Sequence, residues 1–326
     1  MTPVPPPFDP ELAAVLEEAG DMLRPGLTRA DLAAARRSPA MELAAALDLT
    51  LDGAFTTEDR TAPGPEGAPG VPLLICRPTA PAAAARPVLY HVHGGGTVMG
   101  DNRLGVNMAL EWARDVGAAV VSVEYRLAPE HPHPAPVEDV CAGLRWTAEH
   151  AAEFGGDPAR IVLVGASAGG GLAAAAALLL RDRGGPRPLG QMLMSPMLDD
   201  RNDTPSALQM EGVGTWDRTA NETAWTALLG ERCGGSRVSP YAAPARADDL
   251  SGLPPALLDV GSAETFRDEV VAYASGIWQV GGVAELHVWP GGFHGSDGFA
   301  PQAALSQAAQ AARGAWLRRL LAVQGS

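Results

Sequence analysis

The sequence contains no lysine; all 24 of its basic residues are arginine. A Walker-type phosphate loop, a Schiff-base lysine and a Ser–Lys dyad each need an amine at one defined place, so all three are excluded. Positive charge of any kind is in the minority. The 38 acidic residues outweigh it, and the formal net charge is −14. Such a surface repels phosphate backbones and anionic lipid, which argues against nucleic acid and membrane surfaces as partners. Cysteine is scarce too. Cys76, Cys141 and Cys233 have no C-x-x-C spacing, so neither a disulfide framework nor a zinc cluster is expected. Cys76 in a strand-like run and Cys141 in a helical one read as small core residues. Long apolar runs are also missing. The longest, Gly171 to Leu180, is about half of what a bilayer crossing needs. Met1 to Pro10 is proline-rich and lacks a basic region followed by an apolar stretch. No secretory leader is expected, and the expected location is the cytoplasm.

What is present is the composition of a folded domain, 46% apolar and 19% charged over 326 residues. That length fits one large α/β domain with an accessory piece, or two modest domains. Asp9 to Leu47 has helical spacing, and Thr28 followed by Asp31 predicts the start of its second helix. From about Leu49 the pattern changes to strands punctuated by glycine and proline. Leu49–Thr57 and Val71–Arg77 read as two strands joined by the loop Thr61–Gly70. Strands and helices then alternate. Strands are predicted at Val88–His93, Ala118–Val123, Ile161–Gly165, Gln191–Ser195, Ala256–Val260 and Glu285–Trp289. Helices are predicted at Arg103–Val116, Pro136–Phe154, Ser167–Arg183, Glu264–Val280 and Pro301–Leu321. This order implies a mainly parallel sheet covered by helices on both faces, with chemistry at the carboxyl ends of its strands. Asp199 to Asp249 breaks the alternation. It carries a helical stretch at Trp216–Leu229 and reads as an insertion over the sheet. The expected organisation is N-terminal cap helices over 1–48, a catalytic domain over 49–198 and 250–326, and a cap insertion over 199–249.

Two motifs carry chemistry. Gly165-Ala166-Ser167-Ala168-Gly169 follows a predicted strand and precedes a predicted helix. That context suits a nucleophile elbow, where small neighbours let a sharp turn lift the serine hydroxyl to a helix N-terminus. His93-Gly94-Gly95-Gly96 ends an earlier strand. Glycines there can bring bare backbone amides to a substrate oxygen. Gly95, Gly96 and Ala168 are the expected oxyanion donors. A serine nucleophile needs a base, and the base needs an orienting acid; in this architecture the chain order is Ser, acid, His. Two histidines follow Ser167. His287 lies inside a predicted strand and reads as packing. His294 lies in the loop Gly291–Gly295, which can swing an imidazole to the serine, and is the expected base.

With these residues in view, the chain resembles the hormone-sensitive-lipase-like family of α/β-hydrolase carboxylesterases. The resemblance rests on His93–Gly96, Tyr125–Pro132, Gly156-Asp157-Pro158, Gly165–Gly169 and Arg267-Asp268-Glu269. It implies the α/β-hydrolase fold, hydrolysis of small esters with short acyl chains, no cofactor, and compatibility with a homodimer. It also implies an acid just after the strand Ala256–Val260, in a pattern like D-P-L-R-D. Here that stretch reads Glu264-Thr265-Phe266-Arg267-Asp268, so Glu264 stands at the acid position. Asp268 is held in reserve, and Asp259, inside the strand, is weaker still. Thr97 departs from the aromatic residue that often follows the glycines. The pairs His91/His93 and His131/His133 have the form of a metal motif, but no third ligand has matching spacing, so no metal is expected. His93 is expected to brace the glycine loop. Trp216 and Trp225 read as cap core, with Trp216 able to face the acyl pocket. A small-molecule-binding relative without turnover, and an amidase, lactonase or acyltransferase using the same triad, remain as alternatives.

Overall fold

Strands buried on both faces need apolar residues at every position, whereas edge strands do not. This rule orders the eight strands of the computed structural model, which describes residues 3–23, 25–38, 41–42 and 46–322. Parts of the predicted N-terminal helical segment, at 24, 39–40 and 43–45, lie outside the described residues. The strands are β1 (Phe55–Ala62), β2 (Val71–Pro78), β3 (Arg86–Val92), β4 (Ala119–Val123), β5 (Gly156–Ala166), β6 (Gly190–Met194), β7 (Ala256–Gly261) and β8 (Ala284–Trp289). They form one sheet in the order β1-β2-β4-β3-β5-β6-β7-β8. β2 pairs antiparallel with β1 and with β4, and every other pairing is parallel. This is the expected α/β sheet.

Alternate residues of each strand enter different cores. Val88, Tyr90 and Val92 of β3, with Ile161 and Leu163 of β5, pack in one core with the Ala135–His150, Ala168–Arg183 and Arg267–Gln279 helices. Leu89 of β3, with Val162 and Val164 of β5, enters the other, against the Val106–Val116 and Ala304–Ala322 helices. The Ala168–Arg183 helix is buried from Ala168 to Leu180. That explains its uniformly apolar run without recourse to a membrane. Among the described residues, no helix is long and apolar enough to cross one.

Several element boundaries differ from the sequence reading, and three of them have a clear local reason. β1 begins at Phe55 because Asp48 first organises a turn, accepting from the amides of Thr50 and Asp52. β1 then runs on to Ala62 through Thr56–Thr61, which is polar because this edge strand is largely solvent-facing. β5 starts at Gly156, where the chain pairs with Arg86 before the register shifts to Val88–Ile161. The helix expected from Glu264 begins at Arg267, which leaves Glu264 in the loop after β7.

The N-terminal segment and the 199–249 segment both touch loops that follow the carboxyl ends of strands. Arg36 donates to the carbonyls of Val98 and Ala128 and pairs with Glu130. The Asp9 amide donates to Gly291 O, and the Gly26 amide donates to Asp217 Oδ1. Within 199–249 the helices are Pro205–Gln209 and Arg218–Leu229, capped by Thr204 and Asp217. Thr28 also has the predicted capping box: its amide donates to the Asp31 carboxylate.

Behind the carboxyl end of β7, Arg313 is buried between two carboxylates. Its Nε donates to Asp259 Oδ2 at 2.7 Å, and its Nη1 pairs with Asp297. Burial pushes the Asp259 carboxyl up and the arginine opposes that push. Asp259 therefore serves the interior and does not reach the histidine loop. Removing only the cation leaves two carboxylates stranded, which typically costs about 3–5 kcal/mol. We expect Arg313→Leu to lower the unfolding free energy by roughly that amount in urea titrations. Adding Asp259→Leu should recover part of the loss. A neutral single substitution would show that the pair adds nothing.

Candidate active site

The site forms where β5 turns into the Ala168–Arg183 helix. Ser167 sits at that turn with φ 58° and ψ −127°, a conformation that costs an L-residue energy. Neighbouring backbone holds it there. The Ser167 amide donates to Met194 O at 2.8 Å, and Ser167 O accepts from the Met197 amide at 3.0 Å. The helix then passes close to the end of β3. A Cβ on Gly169 would lie 2.0 Å from Val92 O, so only glycine allows that approach. The hydroxyl is thus fixed at the N-terminus of a buried helix, where negative charge is favoured.

The residues expected as base and acid, His294 and Glu264, arrive on the loops after β8 and β7. His294 Nε2 lies 2.9 Å from Ser167 Oγ, and its Nδ1 lies 2.6 Å from Glu264 Oε1. A carboxylate only accepts, so Nδ1 carries the proton and Nε2 is free to take one from the serine. The other oxygen of Glu264 accepts from Ser195 Oγ at 2.9 Å and from the Gly261 amide at 3.1 Å. Phe266 packs edge-on to the imidazole, with ring centroids 5.1 Å apart. Asp268 is not brought here. It accepts from the Ser206 amide and from Arg267 Nε, tying the Pro205–Gln209 helix to the catalytic side. His287 is also elsewhere, stacked on Trp289 and bonded to Glu285. The sequence reading did not single out Ser195. Its only signal is a serine immediately before a proline at a strand end.

The glycine loop lies against the same turn. A Cβ on Gly94 would come within 3.4 Å of Ser167 Cβ. Gly95 and Gly96 have φ of 95° and 62°, and their amides have no acceptor among the described residues. The Ala168 amide, first in its helix, has none either. Over the loop sits Trp216. A Cβ on Gly96 would lie 2.5 Å from Trp216 Cη2 and 3.2 Å from Ala224 Cβ, so the 199–249 segment closes down on this loop. Trp225, by contrast, is fully buried in the core.

A family model described as the alpha/beta hydrolase fold matches residues 89–297. Esterase LipI of Mycobacterium tuberculosis is 36% identical over 237 residues, 73% of this chain and 73% of its own. The chain belongs to the hormone-sensitive-lipase-like carboxylesterases of the α/β-hydrolase fold. Carboxylesterase NlhH of Mycobacterium tuberculosis is similar at 36% identity, over 74% of this chain and 76% of its own. Among solved structures, a bacterial heroin esterase superposes with a TM-score of 0.88 at 40% identity, covering 96% of this chain and 98% of its own.

Within this carboxylesterase the two H-x-H pairs do separate jobs. His91 Nδ1 bonds Ser122 Oγ at 2.8 Å across the β3–β4 pair. His93 stacks on Tyr125, with centroids 4.0 Å apart, and its Nδ1 meets Gly94 O at 2.9 Å. The Tyr125 hydroxyl donates to His93 O, so ring and phenol together clamp the start of the glycine loop. His133 is half-buried beyond β4, and its amide donates to Leu228 O.

Burial lowers His91 to about 3 and His93 to about 4. Unfolded, both protonate near the ordinary 6.5. Below that pH the unfolded chain binds more protons. The stability that neutral burial provides above pH 6.5 is therefore lost as pH falls towards 4 and 3. Between pH 7 and pH 4 the loss should be roughly 3 kcal/mol per histidine. We expect His91→Gln, which takes up no proton, to lose that much less stability than wild type over this range, as measured by urea unfolding at both pH values. Parallel losses in the two proteins would refute the coupling.

Proposed function

We propose that this carboxylesterase hydrolyses short-chain esters through an acyl-enzyme on Ser167, with His294 as base and Glu264 as its orienting acid. The observation that carries this reading is the pair of contacts, 2.9 Å and 2.6 Å, that link Ser167, His294 and Glu264 in one line. As Ser167 Oγ attacks the ester carbonyl, its proton passes to His294 Nε2. The carbonyl oxygen becomes an oxyanion held by the amides of Gly95, Gly96 and Ala168. Donors already aimed at that charge need no reorganisation when it forms. His294 gives its proton to the departing alcohol, and the C–O bond breaks. Water then enters, loses a proton to His294 and attacks the acyl carbon. Collapse of the second tetrahedral intermediate returns the proton to Ser167 and releases the carboxylic acid. Glu264 keeps the imidazole in the reactive tautomer and stabilises its charged form. No step calls for a cofactor.

The short-chain preference has its support in Trp216. The indole lies over Gly96, beside the position a scissile carbonyl would occupy, and bounds the site on that side. We also assign segments 1–48 and 199–249 to a cap over the carboxyl ends of the strands, and 49–198 with 250–326 to the catalytic domain. The contacts of Arg36 and Asp9 with the strand-end loops, and of Gly26 with Asp217 between the two segments, support that division.

Hydrolysis of p-nitrophenyl esters from acetate upward tests the reading. We expect turnover to fall with acyl length in wild type and to collapse in Ser167→Ala. Glu264→Gln should lose roughly 10³- to 10⁴-fold in kcat, because an amide no longer fixes the tautomer or balances the imidazolium. Asp268→Asn should stay within about tenfold of wild type, since it loosens a cap anchor outside the chemistry. Activity surviving in Ser167→Ala would remove the nucleophile assignment, and the opposite ranking of the two acids would remove Glu264.

A further inference from the structure

Ser195 combines a strained backbone with a hydroxyl aimed at Glu264. Its backbone lies one residue beyond β6 with φ 42°, in the left-handed region that favours glycine. Pro196 follows, which restricts the residue before it still further. The strained position is pinned by the Ser195 amide, which donates to Asp259 O of β7 at 2.7 Å. Glycine would make that same backbone bond without strain. What serine adds is a hydroxyl, and the hydroxyl points at Glu264 Oε2, 2.9 Å away.

Glu264 needs such a partner. A glutamate has one more rotatable bond than an aspartate, so a single contact with the imidazole leaves the carboxylate free to turn. Only one face of the carboxylate meets His294 Nδ1, at 2.6 Å. The opposite oxygen is fixed by Ser195 Oγ and the Gly261 amide. Among the described residues no cation lies against it. Two neutral donors orient the carboxylate without competing with His294 for its charge.

We propose that Ser195 is a positioning residue for catalysis, holding Glu264 in the one rotamer that orients His294; the proposal rests on the Ser167–His294–Glu264 assignment above. Its footprint is on turnover and not on substrate binding. With p-nitrophenyl acetate, Ser195→Ala should lower kcat about tenfold, the weight of one hydrogen bond to a carboxylate, with KM changed by less than about twofold. Ser195→Gly, which relieves the backbone as it removes the hydroxymethyl group, should match it even if the alanine variant folds poorly. In a Glu264→Gln background the same substitutions should cost less than about twofold, because the group they act through is already gone. Wild-type kcat in Ser195→Gly would overturn the proposal. So would an equal loss in both backgrounds, which would mean that Ser195 acts by another route. If Glu264→Gln alone keeps wild-type turnover, it is the acid assignment that fails, an outcome distinct from either of these.

Discussion

The conformation of Ser167 is the constraint on which the remainder of the site depends. A residue at φ 58° and ψ −127° stays there only if its surroundings over-determine it. Here the neighbours are the ends of other strands. Met194 at the end of β6 accepts from its amide, and Val92 at the end of β3 lies so close that the second residue of the helix, Gly169, must be a glycine. Both neighbours are delivered by parallel pairing to β5, in registers that set Val92 beside Gly165 and Met194 beside Ala166. A sheet slip of one residue would move those carbonyls and send every strand side chain into the wrong core. The two hydrophobic layers therefore do more than stabilise the fold. They hold the register that keeps the serine turn strained and raised.

The interior handles its carboxylates in two different ways. Asp259 and Asp297 share Arg313, and Asp139 has Arg126. These pairs settle their charge internally. Glu264 is equally buried but, among the described residues, meets a hydroxyl, an amide and the imidazole and no cation. An arginine there would satisfy the carboxylate in the resting state and leave it less to offer an imidazolium. Neutral donors fix the geometry of the carboxylate without an opposing charge beside it. Glu269 illustrates the alternative. Buried with only the amides of Leu198 and Asp199 as partners, its carboxyl is pushed well up, towards the neutral form.

Much of this was legible in the sequence because the governing signals are local. Short apolar runs between glycines fixed the central strands, and Gly165–Gly169 and His93–Gly96 announced their turns within five residues each. β1 was read too early because an edge strand exposed on both faces carries Thr-Thr-Glu-Asp-Arg-Thr and no periodicity. The helix after β7 was read three residues too early because nothing in Glu264–Phe266 looks unlike a first turn. That error mattered, since a helical Glu264 and Asp268 would share one face, whereas the structure sends Glu264 to His294 and Asp268 to Ser206. Ser195 was invisible for a deeper reason. Its partner is 69 positions away, and a serine before a proline is unremarkable until two strand ends are set side by side.

The same long-range logic joins the 199–249 segment to the chemistry. Thr215 Oγ1 donates to His294 O at 2.6 Å, and Thr265 Oγ1, next to Glu264, donates to Trp216 O at 2.7 Å. Adjacent residues of this segment are thus tied to the base loop and to the acid loop. Trp216, which makes the second of these ties, is also the residue whose ring covers Gly96. The backbone that carries this indole is therefore anchored to the loops that carry His294 and Glu264.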